Sequence, residues 1–376
     1  MVSKSRERDR EAVRRRVRQK GQSGHTAPSG PTASEERPDK QVEVAVADTQ
    51  QALRQSESEG AFAAGFREGH REPWLESVGL RRDDVAGSSV LLAEPHHVSF
   101  YGKTVTDGFL KGAADLGLRV QFHYLDFNPE IELSFVSRVA DSGLDGLAFY
   151  PLYRTPEECE LVADLCQRSF PCVLFDRRLP EADTDFVGTD NQDAYERLTD
   201  ILITHGHKTI AYVARDFADS VMDDRLAGYR RALENAGLPY REKLLIEGEW
   251  HFAAPAIVKD FVAHKPRPTA FLCSDQYSAD ILLSALQTCQ LGVSEDVEIA
   301  SMDDREPDEY HEAPWLTAVQ DGYAIGRQTA EFLAARIAQP NRASEQRLVK
   351  ATILSHDHRI RAPTRANAKG RKELQE

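Results

Sequence analysis

The stretch FLCSDQYSADILLSALQTCQLGVSEDVEIASMDD at 271–304 constrains the fold more than any other part of the chain. An apolar strand stops at Ser274-Asp275, an amphipathic helix follows, a Gly-Val turn ends it, and a second apolar strand stops at Asp303-Asp304. Two strands joined through a helix run parallel, so both acids fall at carboxyl ends of neighbouring strands. In an open α/β sheet that edge is where ligands bind, because strand ends and helix amino termini converge there.

The same alternation fills the chain from Ser88 onward. SSVLLA reads as a buried strand, and KTVTDGFLKGAADLGL from 103 places Val105, Phe109, Ala113 and Leu116 on one helical face. VQFHYL, LDGLAFY (144–150) and CVLFD (172–176) read as further strands, with a helix from Pro156 to Gln167 between the last two. After FVGTDN (186–191) the pattern restarts: helices are expected at 192–204, 224–236, 254–264 and 278–290, with strands KTIAYVA, LLIEGE, TAFLCSD and VEIASMDD. The fold class is therefore α/β, two doubly wound parallel-sheet lobes with a cleft between them. WLTAVQ, a helix at 322–338 and RLVKATIL form a return segment across the hinge.

Composition separates this body from what precedes it. Residues 1–20 hold nine Lys/Arg against three Asp/Glu, although the whole chain carries a net charge of −14. GQSGHTAPSGPTASEERPDKQ then offers too few apolar side chains to offset the entropy of ordering, so disorder is expected. The charges in MVSKSRERDREAVRRRVRQK occupy the place of a secretory signal's apolar core, and no apolar run approaches the roughly 20 residues of a membrane helix. A cytoplasmic protein without membrane contact is expected.

Cys159, Cys166, Cys172, Cys273 and Cys289 are odd in number and lack CxxC spacing, which points to buried reduced thiols. The histidines, including His96-His97, HGH at 205–207 and HDH at 356–358, show no metal-ligand spacing. No GxSxG, P-loop, HExxH or GxGxxG motif appears, so neither a cofactor nor an enzyme is expected.

Five segments in order carry a family resemblance: VLFDRRLP (173–180), VGTDNQDAYERLTDILITHGHKTIAYV (187–213), DRLAGYRRALENAGLP (224–239), PTAFLCSDQYSADILLSAL (268–286) and LTAVQDGYAIGRQTAEFL (316–333). Over about 88–360 the chain resembles the sensor domain of the lactose/galactose-repressor (LacI/GalR) family, which has a type I periplasmic-binding-protein-like fold. Composition makes 1–87 a largely disordered, basic N-terminus and linker and 361–376 a disordered tail; the resemblance implies a first lobe at 88–187 plus 319–340 and a second lobe at 188–318 plus 341–360. It also implies a homodimer and a small-molecule effector such as a sugar, polyol or sugar acid.

The family's ligand contacts fall on particular residues, each with a structural alternative. Asp176 matches an acid facing the cleft, where a carboxylate accepts hydroxyl hydrogen bonds; alternatively it pairs with Arg177 or Arg178. Arg225 matches an arginine that holds ligand hydroxyls or a carboxylate through its planar fork, or else it belongs to a helix start paired with Asp219, Asp223 and Asp224. Asp275 and Asp303 match acids at the cleft, or cap the helix at 276 and shape the turn at 304. Ser274 stands where the family commonly has Asn, with shorter reach. Phe100, Tyr101 and Trp250 match aromatic walls for a sugar or purine ring, or pack the hinge.

The N-terminus departs from the family, lacking the periodic two-helix pattern of a helix-turn-helix. REAVRRRVRQKGQSG resembles the basic end of a GntR-type winged helix found on LacI-like sensors in one subfamily. The expected function is a transcriptional regulator, a repressor that contacts DNA through a truncated, diverged or partner-borne module. The alternative is a stand-alone ligand-binding protein.

Overall fold

The computed structural model describes residues 81–354 apart from 96–98, 126–128, 153, 180–181, 216–218, 248–253, 264–265, 294–295 and 304–314. The expectations for 1–80, the tail, Trp250, His96-His97 and HDH at 356–358 lie outside the described residues.

The first lobe is built on the strands β1 (Ser89–Pro95), β2 (Arg119–Leu125), β3 (Gly146–Phe149), β4 (Cys172–Phe175), β5 (Asp185–Thr189) and, later in the chain, β11 (Gln346–Val349), ordered β11-β5-β4-β3-β1-β2. The second holds β6 (Ile210–Val213), β7 (Leu245–Ile246), β8 (Ala270–Cys273), β9 (Glu298–Asp303), β10 (Leu316–Val319) and β12 (Thr352–Leu354), ordered β12-β10-β9-β8-β6-β7. Neighbours pair in parallel throughout, except that β12 runs antiparallel to β10. Central strands such as β3, β4, β6 and β8 are buried along their whole length, as continuous apolar runs covered on both faces should be.

The helices α1 (Phe100–Leu116), α2 (Pro129–Val139), α3 (Pro156–Gln167), α4 (Asn191–Thr204), α5 (Ser220–Asn235), α6 (Ala254–Val262), α7 (Gln276–Thr288) and α8 (Gly322–Ala338) supply that cover. Short polar residues set many of their starts. Ser99, Thr155, Asp190, Asp219, Asp275 and Asp321 each accept a hydrogen bond from a backbone N–H in the first turn, a cap worth about 1 kcal/mol. Four of these caps move helix starts earlier than periodicity predicts: α1 begins at Phe100, α4 at Asn191, α5 at Ser220 and α7 at Gln276. No described helix is long and apolar enough to cross a membrane. All five cysteines are free; Cys159, Cys172 and Cys273 are buried, and Cys166 and Cys289 half-buried.

One boundary needs correction. The segment 341–360 was expected in the second lobe, but β11 pairs with β5 in the first sheet and only β12 joins the second. The cause is Asp185, fully buried, which takes 2.9 Å bonds from Arg336 and Arg342 and accepts the Glu345 N–H at 2.8 Å. A buried carboxylate must be paired, and this pairing fastens the turn after α8 beside β5. The chain therefore crosses between lobes after Thr189, after Val319 and after Val349. Thr189 donates to Gln320 at 2.8 Å, the Asp190 N–H donates to the Val349 carbonyl at 2.8 Å, and Arg197 donates to the Ala351 carbonyl at 3.0 Å, so the crossings are bound to one another.

Against the first core, α8 and α1 meet backbone to backbone. A Cβ on Gly326 would collide with the Val105 carbonyl, and one on Gly108 with the Tyr323 carbonyl. Close-packed interiors yield little at such points. Gly326→Ala is therefore expected to destabilise the protein by about 1–3 kcal/mol in urea unfolding, as overpacked sites do. An unchanged midpoint would show that the two helices are not in this contact.

Candidate functional site

The second-lobe part of the site is built around Arg225 in the second turn of α5, 5% exposed. Its Nε donates to Asn191 Oδ1 at 2.8 Å, NH1 donates to the Ser274 carbonyl, and its guanidinium lies 5.4 Å from the Tyr195 ring centroid. One side chain thus ties α5 to the first crossing and to the end of β8. Burial opposes its charge, but the facing hydroxyls of Tyr195 and Tyr212 and the carboxylates of Asp275 and Asp176 hold its pKa above the ordinary arginine value. It is a fixed cation.

Asp275 and Ser274 follow β8. Asp275 caps α7 by accepting the Ser278 N–H at 2.8 Å, and its other oxygen takes the Arg215 guanidinium at 2.9 Å. Arg215 lies 5.1 Å from the Tyr277 ring. Ser274 is fully buried and donates to Asp275 at 3.1 Å, so it orients that acid. The capping alternative for Asp275 is realised, with one oxygen still directed at a cation and not at the backbone.

The first lobe contributes Asp176, directly after β4, in the left-handed region at φ 62. A non-glycine residue there is held by its surroundings, and such strain concentrates at ligand and switch sites. Tyr101, in the first turn of α1, donates its hydroxyl to Asp176 at 2.6 Å. Burial first, and then the Asp176 carboxylate, push the Tyr101 hydroxyl well above its usual pKa, so it stays a donor. Tyr150, at the end of β3, is raised in the same way by burial and by Asp176, with Arg177 opposing. Arg177 stands 3.9 Å from Asp176, a looser pairing than the expected alternative of a turn ion pair. Phe100 is half-buried at the opening of α1.

Tyr101, Asp176, Arg225 and Asp275 therefore form one electrostatic unit: the charges of Asp176 and Asp275 both act on Arg225, and Arg225 acts on Tyr101. Asp303 closes β9, beside Val319 of β10, at the same sheet edge; its side chain and Trp250 lie outside the described residues. Sequence reasoning missed Tyr150, Asn191, Tyr195 and Arg215 as parts of this arrangement. A usable signal existed for three of them: Tyr150 ends the strand LDGLAFY, Asn191 ends FVGTDN, and Arg215 follows the strand KTIAYVA, all at carboxyl edges.

The His-Gly-His motif lies elsewhere, at the other end of the second sheet. Thr204 ends α4, Gly206 takes φ 97, and His205 and His207 both contact Glu298 at 2.8 Å, with His207 also 2.8 Å from Thr269. This matches the helix-ending turn expected from sequence. No group of three or more metal-ligating side chains occurs among the described residues.

The family model for the periplasmic binding protein-like domain matches residues 199–355. The HTH-type transcriptional repressor PurR of Vibrio parahaemolyticus is 28% identical over 211 residues, covering 55% of this chain and 62% of that protein. The chain thus spans less than two thirds of that relative's length. The crystal structure of the transcription regulator CcpA of Lactococcus lactis superposes with a TM-score of 0.62 at 22% identity, over 72% of this chain and 98% of the other. The transcriptional regulator CelR in complex with cellobiose superposes with a TM-score of 0.63 at 21% identity, over 75% of this chain and 87% of the other. These neighbours establish the fold, and the sequence relatives are named as transcriptional repressors. Residues 199–355 match the periplasmic binding protein-like domain, and the chain shares the two-lobed α/β fold of these solved structures.

Proposed function

We propose that the chain is a LacI-type transcriptional regulator, a repressor, whose two lobes enclose a small carbohydrate-like effector. The observation that carries this reading is the unit formed by Arg225 with Asp275 from one lobe and Asp176 with Tyr101 from the other. Carboxylates and a guanidinium held at strand ends provide both acceptors and donors for a polyhydroxylated molecule. CelR, a structural neighbour, is described with cellobiose bound. Phe100 and Trp250 are proposed as apolar walls for ring C–H faces. Binding rather than catalysis is the role proposed, since relatives are regulators. A homodimer in the cytoplasm is proposed on the same ground.

Control of DNA follows if the effector prefers one lobe arrangement, because equal affinity for both would shift nothing. Isothermal calorimetry on sugars, polyols and sugar acids is expected to find one saturable effector. Arg225→Ala and Asp275→Asn, each confirmed folded by circular dichroism, are expected to weaken it at least about tenfold, the loss of one charged hydrogen bond. Unchanged affinity in both variants would remove the site.

A second reading, a ligand-binding protein acting without DNA, draws on the acidity of the chain as a whole. The two readings differ in salt dependence. Residues 1–20 carry an excess of six basic groups, so the regulator reading expects duplex DNA binding that falls steeply with salt and shows little sequence preference from that segment alone. A salt-titrated binding assay comparing the full chain with one starting at Gly87 separates them. Binding at low salt that is lost with residues 1–86 supports the regulator, and no binding at any salt supports the stand-alone sensor. Tight, sequence-selective binding at physiological salt would show that the first 86 residues hold a rigid DNA reader.

A further inference from the structure

The two arginines that follow Asp176 act across the cleft. Arg177 NH2 lies 3.4 Å from Asp219, the cap of α5. The Arg178 backbone N–H donates to the Ser220 hydroxyl at 2.9 Å, and its guanidinium donates to Asp224 at 2.6 Å. Arg154, just before α3, stands 3.3 Å from Asp223. The arginines belong to the first lobe, and the residues they meet fill the first turn and a half of the second-lobe helix that carries Arg225.

Arg177 is held in place by its own lobe, and Arg178 lies near an aromatic ring there. Arg177 donates to the Leu152 carbonyl at 2.9 Å and sits 5.2 Å from the Tyr150 ring centroid, while the Leu152 N–H is itself held by Glu132 at 2.9 Å. Arg178 sits 6.0 Å from the Phe186 ring. The Arg177 guanidinium, stacked and bonded in this way, is already oriented, so little of its freedom is lost when α5 arrives.

The pairs differ in what they contribute. Arg154 and Asp223 are 31% and 56% exposed, and a pair so wet contributes little. Arg177 and Asp219 are 15% and 6% exposed, so desolvation offsets most of their attraction and the pair chiefly fixes register. Arg178 and Asp224, at 27% and 20%, make a short charge-assisted bond; burial raises the Asp224 pKa and the Arg178 bond opposes that rise.

We propose that Arg178 and Asp224, set in register by Arg177 and Asp219, form an interlobe latch that holds the cleft closed through the protein's own charges before any effector arrives. Opening the cleft requires the latch to part, and since Asp224 directly precedes Arg225, the same movement withdraws Arg225 from Asp176. The latch residues are positioning residues: they set the arrangement of the site without being part of its donor set.

The test is the interlobe distance in the full-length, effector-free protein. Spin labels at Glu157→Cys in the first lobe and Glu234→Cys in the second, with Cys166 and Cys289 replaced by Ser, report it by pulsed electron resonance. The wild-type latch is expected to give a dominant short distance at low salt, and a shift toward longer distances near 1 M salt, where screening acts within a few ångströms. Arg178→Glu is expected to raise the open-to-closed ratio about tenfold or more, and the exchange Arg178→Glu with Asp224→Arg to return it. An unshifted distance in Arg178→Glu, or an exchange that fails to restore the short distance, overturns the latch. Because no effector is used, failure to find a sugar ligand leaves this result intact, and the converse also holds.

Discussion

The second lobe and its half of the cleft depend on one buried guanidinium. Arg225 reaches the first crossing through Asn191, the end of β8 through the Ser274 carbonyl, and the face of Tyr195 in α4. A cation this deep persists only if it is paired and hydrogen-bonded on several sides, so the acids at the strand ends are needed to keep it there. Asn191 and the Ser274 carbonyl supply the hydrogen bonds, and the charges of Asp275 and Asp176, from opposite lobes, favour the cation through space. Stability of the lobe and shape of the cleft are thus set by the same contacts.

This arrangement also explains why the polar residues of the site are so heavily engaged. Asp275 caps α7 and takes Arg215, Asp176 takes the Tyr101 hydroxyl, and Ser274 steadies Asp275. Groups already oriented in this way would meet the proposed effector at little ordering cost. The three bound crossings beneath the cleft leave the lobes a hinge and not a loose tether.

Much of this was written in the sequence at short range. Apolar runs ending in Ser-Asp or Asp-Asp announced strand ends, and the same acids announced caps, because both depend on neighbours within a few residues. Pairings made across the fold were not visible. Arg177 and Arg178 looked like partners for Asp176; Arg177 does stand 3.9 Å from it, and only the approach of α5 shows that the two also reach Asp219 and Asp224. The placement of β11 failed for a similar reason: QRLV is an edge strand with alternate exposure and fits either sheet, and the choice is made by Asp185 holding Arg336 and Arg342.

Arg225 works as a bonded fork and not merely as a positive charge. Urea unfolding of Arg225→Lys tests it, since lysine keeps the charge but cannot hold Asn191 and the Ser274 carbonyl in fixed directions. A loss of about 2 kcal/mol or more is expected, from acceptors left buried without their donors. A variant as stable as the wild-type protein would contradict it.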